Sequence, residues 1–333
     1  MWFYTNNIYL CIVMLIGSAW VVHKFANILG EAFVDIGKKL RISNSVRGAT
    51  FDAIGSSTPE FCTVMLAVIF YNKFEDIGIA TIAGSGIFNI LVIPMLAIMF
   101  YKGSKATIKI DKKAVMRDML FYTAALSTLL LFALKGEFNI LSGIFLVLVY
   151  IVYLIKLCME TKRYRKRIGT EEKEQIHSTY TILFSKSLLS LILVGCAIDA
   201  IIHSSIIIAS VFNIPQYVVS IIILAGCTSI PDLLISVNSA KRGDMAGSIS
   251  NVVGSNIFDI CICLGLPMLI CRKTILIKFA GNGIVVAFLF ISMIITSFLL
   301  LKKGGIKRKD SVIMAIAYVL FLLYVLKVTM GVS

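Results

Sequence analysis

Charge is scarce in this sequence: Asp, Glu, Lys and Arg together make up 15% of 333 residues, against 59% hydrophobic. A soluble domain needs a larger polar share to cover its surface, so the surplus apolar surface is expected to face lipid. Histidine is almost missing, and His23, His177 and His203 have no second ligand at helical spacing, which argues against a histidine metal centre. There are eight cysteines but no Cys-x-x-Cys pair. Cys11, Cys62, Cys158, Cys196, Cys227, Cys261, Cys263 and Cys271 mostly fall inside or at the ends of apolar stretches, and Cys261 and Cys263 diverge on a helix. They read as small packing residues. No basic residue precedes the first apolar run and no small-residue cleavage site follows it, so a cleavable signal is not expected.

The sequence is rich in apolar stretches separated by charged or turn-rich breaks. They lie at about 8–29, 46–71, 77–101, 118–135, 139–157, 183–208, 216–240, 244–271, 281–301 and 311–330, and most are near the 20 residues that a membrane-spanning helix needs. The expected fold is therefore an all-α polytopic membrane protein of ten transmembrane helices. The connections are short, the longest being the charged stretch from Glu160 to Ser178, so no separate soluble domain is expected. The organisation that follows is a first five-helix unit at 1–159, a loop at 160–182 and a second unit at 183–333. Loops after odd-numbered spans hold 25 Lys and Arg, the others five. By the positive-inside tendency the odd loops are cytoplasmic and both termini extracytoplasmic. The formal charge of +14 is thereby explained as orientation, with lipid contact and without nucleic acid.

An internal repeat is the strongest feature. Ala53-Ile-Gly-Ser-Ser-Thr-Pro-Glu60 aligns with Ala225-Gly-Cys-Thr-Ser-Ile-Pro-Asp232, and Gly84-Ser-Gly-Ile-Phe-Asn-Ile90 with Gly254-Ser-Asn-Ile-Phe-Asp-Ile260. With five spans in each half, the second half must enter the membrane from the opposite side. Two inverted five-helix repeats of this kind place a transport site near the midplane.

The chemistry of those segments suits a hard cation. Glu60 and Asp232 sit deep in apolar spans, where an acid costs about 2.5–3.5 kcal/mol on insertion scales, so something positive should meet them. On a helix Ser56 and Ser57 share a face with Glu60, and Thr228 and Ser229 share one with Asp232. Ser85 with Asn89 and Ser255 with Asp259 repeat a spacing of four. Pro59 and Pro231 withdraw amide hydrogens and free carbonyls near Gly55 and Cys227. Such an all-oxygen set matches calcium, which takes six to eight oxygen ligands in flexible geometry, better than magnesium or zinc. Asp52, Asp118 and Asp244 lie near span ends, where water or a partner at the rim suffices. Asp199, midway through the sixth span, is a candidate gating or proton-sensitive group.

At these residues the chain resembles the calcium/cation antiporter superfamily, the sodium/calcium exchangers, and most closely their potassium-dependent branch. The resemblance is carried by Gly48 to Glu60, Gly84 to Asn89, Thr228 to Asp232, Gly243-Asp-Met-Ala246 and Gly254 to Ile260. It implies that Glu60 and Asp232 are the central calcium ligands, helped by Ser57, Thr228 and Ser229, and that the carbonyls of Ala53 and Ala225 belong to the ion sites. It implies also that Ser85, Asn89, Ser255 and Asp259 serve sodium and, in that branch, potassium. The first and sixth spans hold the place of a mobile gating pair. Cys227 stands where relatives have glycine, Gly86 where many carry a larger residue, and the loop after the fifth span lacks a regulatory insert.

The expected function is secondary antiport of sodium for calcium in a plasma or cytoplasmic membrane, with no cofactor, no enzymatic activity and no required protein partner. Potassium and a proton both stand open as co-ion at Asp259, and calcium/proton antiport is the alternative. Two other classes compete with this reading. A cation channel would need no counter-ion. An intramembrane aspartyl protease would use the acids as a dyad, but the Gly-x-Gly-Asp context is absent.

Overall fold

The computed structural model of the chain describes residues 6–102, 108, 110–168, 179–277, 279–303 and 305–329. Apolar segments without water must satisfy their backbone internally, which a helix does within one segment, and the described residues are predominantly helical. In chain order the helices are α1 (Ile8–Lys39), α2 (44–56), α3 (Thr58–Ile69), α4 (Phe74–Phe100), α5 (Lys112–Lys135), α6 (Ile140–Ile168), α7 (Tyr180–Val211), α8 (Gln216–Thr228), α9 (Ile230–Lys241), α10 (Met245–Cys271), α11 (Phe279–Leu301) and α12 (Asp310–Thr329). Among the described residues seven helices are long and apolar enough to cross a membrane, and α8 with α9, bent by 44°, makes an eighth. The chain is thus an integral, polytopic membrane protein.

Three features depart from the sequence reading. First, α6 continues to Ile168, so residues 160–168 are helix rather than the start of a loop. Lys and Arg are good helix formers and remain solvated beyond the bilayer, and Arg165 Nε donates to the Leu40 carbonyl at 3.1 Å. The rest of the charged stretch, 169–178 with Thr170 and His177, lies outside the described residues. Second, a short ribbon interrupts the all-α pattern: Glu137–Phe138 pairs antiparallel with Ile275–Leu276, entered through Gly136 at φ +73°. Third, four turns widen to π-helix, at Gly48–Asp52, Phe74–Ile79, Ser220–Leu224 and Asp259–Leu264. Such bulges concentrate at functional sites, and three of the four adjoin the acidic motifs.

The backbone repeats itself closely. α1 and α7 are both 32 residues long, and each is followed two residues on by a left-handed residue, Arg41 (φ 49°) and Asn213 (φ 54°). These helices lie side by side along most of their length. The interrupted pair α2/α3 packs against α10, and α8/α9 against α4.

Glycine makes those two crossings close. A Cβ on Gly84 would lie 2.5 Å from the Ile221 carbonyl oxygen, and one on Gly254 would lie 2.7 Å from Ala49 Cα. Ile221 and Ala49 are themselves corresponding positions in the repeat, so one backbone contact occurs twice. Small residues permit such approach where lipid gives no hydrophobic drive to association.

Candidate functional site

Both interrupted helices break at a serine. Ser57 (φ −86°, ψ 7°) separates α2 from α3, and Ser229 (φ −81°, ψ −3°) separates α8 from α9. Each break is followed by a proline, whose missing amide cannot bond back across it. Cys227, in the place of the expected glycine, does not disturb this: Ser229 N donates to Ala225 O at 3.0 Å, as Ser57 N does to Ala53 O at 2.9 Å. The carbonyls of Ala53 and Ala225 are therefore engaged by the main chain. Ser56 Oγ also approaches Ala53 O at 3.2 Å and Thr228 Oγ1 approaches Ala225 O at 3.3 Å.

The broken ends put Glu60 and Asp232 at the first turns of α3 and α9, both fully buried. Helix N-termini present free amides and favour negative charge, so the breaks provide part of what holds these acids. The remainder comes from α4 and α10. Ser85 Oγ donates to Glu60 Oε1 at 3.2 Å and Asn89 Nδ2 to Asp232 Oδ2 at 3.0 Å. Ser255 Oγ donates to Asp232 Oδ1 at 2.6 Å, and Ser229 Oγ meets Ser85 Oγ at 2.8 Å. α4 thus gives one residue to each acid.

The hydroxyls cross over between the repeats. On a continuous helix Ser56 would accompany Glu60, and Thr228 would accompany Asp232. With the break between them, Thr228 lies beside Glu60 and Ser56 beside Asp232. Ser56 Oγ is 3.5 Å from Ser255 Oγ and donates back to Asp52 O at 2.8 Å. Asp259, fully buried, lies beside Ser57 and within electrostatic reach of Glu60 and Asp232.

Several oxygens at this centre are left over. Ser57 Oγ, Glu60 Oε2, Asn89 Oδ1 and Asp259 Oδ2 are buried without a hydrogen bond of normal geometry. Unpaired buried acceptors are costly, and a cation is the group that satisfies acceptors only. Among the described residues no three His, Cys, Asp or Glu converge on one point. The acids are instead spread along a chain of hydroxyls and amides, an arrangement that suits hard cations held by mixed oxygen donors.

Sequence reasoning missed residues whose partners lie on other helices. Asn256 Nδ2 donates to Gly86 O and to the Tyr122 hydroxyl, both at 3.0 Å, and Asn251 Nδ2 to Ser236 Oγ at 2.8 Å. Of the two expectations for Asp118, rim water or a partner, the structure shows a partner. Asp118 is buried against Arg117 (2.7 and 3.0 Å) and the Tyr153 hydroxyl (2.8 Å), with Glu160 also on Arg117. Asp199 accepts from the Tyr71 hydroxyl at 2.7 Å. Asp52 and Asp244 share Arg47, at 3.2 and 3.5 Å.

A helical membrane bundle with two interrupted helices, whose two buried acids lie within electrostatic reach of each other and are each held by hydroxyls and an amide from other helices, is built as a cation transporter. The profile of the sodium/calcium exchanger protein family matches residues 10–159 and 183–327, and the chain belongs to that family, within the calcium/cation antiporter superfamily. It is 31% identical over 254 residues to the uncharacterized membrane protein MJ0091 of Methanocaldococcus jannaschii, covering 75% of this chain and 76% of that one. It is 24% identical over 265 residues to the inner membrane protein YrbG of Escherichia coli, covering 78% and 79%. A match to the mouse sodium/potassium/calcium exchanger 4, 32% identical over 145 residues, covers 42% of this chain and 22% of that protein. In fold the chain is similar to the solved sodium-calcium exchanger NCX_Mj, with a TM-score of 0.67 at 23% identity over 95% of this chain and 99% of that one.

Proposed function

We propose that the chain exchanges sodium for calcium by alternating access, through ten spans arranged as two inverted five-helix repeats. The observation that carries this reading is the pair of buried acids, one from each repeat and within electrostatic reach of each other: Glu60 is held by Ser85, itself bonded to Ser229, and Asp232 by Asn89 and Ser255, with acceptor oxygens to spare. Calcium and sodium then compete for Glu60 and Asp232, with Ser56, Ser57, Thr228 and Ser229 beside them. The carbonyls of Ala53 and Ala225 contribute through their second lone pairs. Ser85, Asn89, Ser255 and Asp259 complete the sites for monovalent ions.

Coupling follows from charge. A carrier without ions would have to move Glu60 and Asp232 unneutralised through the closed state, which costs several kcal/mol per ion. Exchange is therefore obligatory, and α1 with α7, packed together and lying over both interrupted helices, is the unit that slides. Uptake of calcium by proteoliposomes under sodium, potassium and pH gradients, imposed one at a time, tests the reading. A sodium gradient alone should drive uptake. Uptake without any counter-ion would mark a channel instead.

Asp259 decides the co-ion. Where the first repeat carries neutral Asn89 the second carries this acid, whose Oδ2 is buried without a hydrogen bond, so a third positive charge must accompany the load. With potassium in that role, calcium flux rises with potassium, and Asp259→Asn still transports calcium but loses the stimulation. Wild-type flux that ignores potassium and follows the titration of Asp259 would assign a proton there, and calcium/proton exchange becomes the reading if sodium also has no effect.

The orientation is testable separately. With 25 basic residues in the loops after odd-numbered spans, a cysteine introduced at Thr170 should react with a membrane-impermeant maleimide only from the cytoplasmic side of a plasma or cytoplasmic membrane. Reaction from outside alone would reverse the proposed topology.

A further inference from the structure

Between α1, α2 and α9 lies a cavity of about 420 Å³, lined among others by Asn27, Glu31 and Asp35 of α1, Arg47 and Asp52 of α2 and Asn238 of α9. It is large enough for an ion with its water shell, since a water takes about 30 Å³. Asp52 is the buried acid of this lining, 1% exposed. Its Oδ2 accepts from Arg47 Nε at 3.2 Å, while Oδ1 is buried without a hydrogen bond. A buried carboxylate half-engaged by a guanidinium and lining a water-sized cavity has coordination to offer.

Asp52 also connects to the central acids. Its carbonyl accepts from Ser56 Oγ at 2.8 Å, Ser56 Oγ lies 3.5 Å from Ser255 Oγ, and Ser255 donates to Asp232 at 2.6 Å. Asp52, which lines the cavity, is thus also the near end of a polar chain that reaches Asp232.

The opposite cavity differs. Leu66, Gly195, Asp199 and His203 line it, positions that correspond in the repeat to Asn238, His23, Asn27 and Glu31 of the first. The counterpart of Asp52 is Leu224, buried in an apolar cluster. Of the acids lining the two cavities, Asp52 is buried, while Asp199 of the opposite cavity is half-buried and accepts from the Tyr71 hydroxyl. The first cavity also carries Lys38, Arg47 and Arg242, set against Glu31 and Asp35, so Asp52 brings its acids level with its bases.

We propose that Asp52 forms an outlying cation site in this cavity, taking a hydrated inorganic cation on its way to or from the central acids, with Arg47 as the tethered charge that the ion displaces. The inference rests on the cation-transport reading for its purpose, but the site itself is electrostatic and can be probed without transport. The lining holds three acids and three bases, so the attraction at its floor comes from Asp52 once Arg47 leaves it, and a buried carboxylate so freed concentrates cations by about tenfold. Arg47 sets the threshold: paired to Asp52 it cancels the attraction, and an arriving cation shifts it toward Asp244, its second partner at 3.5 Å.

The test uses a reporter, Asn238→Cys, in the full-length chain in proteoliposomes, with the labelling of the parent chain subtracted. Its reaction rate is measured with a trimethylammonium methanethiosulfonate and with a sulfonate-bearing one, in calcium, sodium or neither. Asp52→Asn should lower the cationic-to-anionic rate ratio by about tenfold, and Arg47→Gln should raise it. Calcium or sodium should slow the cationic reagent in the parent reporter but not with Asp52→Asn. Asp52→Glu, which keeps the charge, should restore the ratio and shows that loss is not misfolding. A ratio unmoved by Asp52→Asn, or cation protection that persists in it, overturns the site. Absence of sodium-driven calcium uptake with these labelling results intact would instead fault the antiport reading.

Discussion

Glu60→Gln and Asp232→Asn should each lower calcium uptake by about two to three orders of magnitude while the protein remains folded and inserted. Each change keeps the side-chain volume and one oxygen, so the packing around α3 and α9 is preserved, but it removes a negative charge from a fully buried centre. Breaking one partner of a buried ionic contact costs about 3–5 kcal/mol, and about 1.4 kcal/mol is tenfold in binding. The replaced amide also brings donors: in Asp232→Asn a new NH₂ would face Ser255 or Asn89 Nδ2, both of which donate to Asp232. Initial rates of calcium-45 uptake, normalised to protein recovered as a single gel-filtration peak, measure the loss. Uptake near that of the parent in either variant would remove the centre from the transport path.

The second large effect is steric. Gly84→Ala and Gly254→Ala should each destabilise the protein by about 1–3 kcal/mol or more, because the new methyl group meets backbone rather than a movable side chain. At Gly84 it would lie 2.5 Å from Ile221 O, and at Gly254 2.8 Å from Ala49 O. Each crossing must open, which displaces the next residue, Ser85 or Ser255, from its acid. Gly17→Ala and Gly195→Ala are the controls, since nothing lies within 4 Å of a Cβ there. They should be neutral or stabilising by up to about 1 kcal/mol through helix propensity. Thermal unfolding followed by fluorescence-detected gel filtration separates the two groups, and equal melting of all four variants would refute the close crossing.

The pairing of the acids with their neighbours explains why transport and stability are coupled here. Ser85 and Ser255 follow directly on the crossing glycines, so the contact that packs α4 on α8 and α10 on α2 also sets the distances to Glu60 and Asp232. Gly84 and Gly254, by their contacts with Ile221 and Ala49, therefore position the residues that hold the acids. Arg117 plays a comparable part at the end of the bundle, where it joins Asp118, Glu160 and Ser45 on three different segments.

The apolar runs, the repeated acid-and-hydroxyl motifs and the family were legible in the sequence because each is local: hydropathy over a span, and spacing within one segment. The internal repeat and the family resemblance grouped Glu60, Asp232, Ser85, Asn89, Ser255 and Asp259 as one expected constellation without any distance. Tertiary structure alone decided which hydroxyl stands beside which acid. Helical spacing reports neighbours only while the helix is continuous, and the breaks at Ser57 and Ser229 reset the phase, so that Ser56 turns toward Asp232 and Thr228 toward Glu60. It also decided that Asp118 is buried against Arg117, that Arg47 bridges Asp52 and Asp244, and that residues 160–168 extend α6. The hydroxyl pairing, the Tyr153 hydroxyl on Asp118 and the reach of Arg47 to Asp244 depend on the approach of segments far apart in the chain, which no periodicity within one segment encodes.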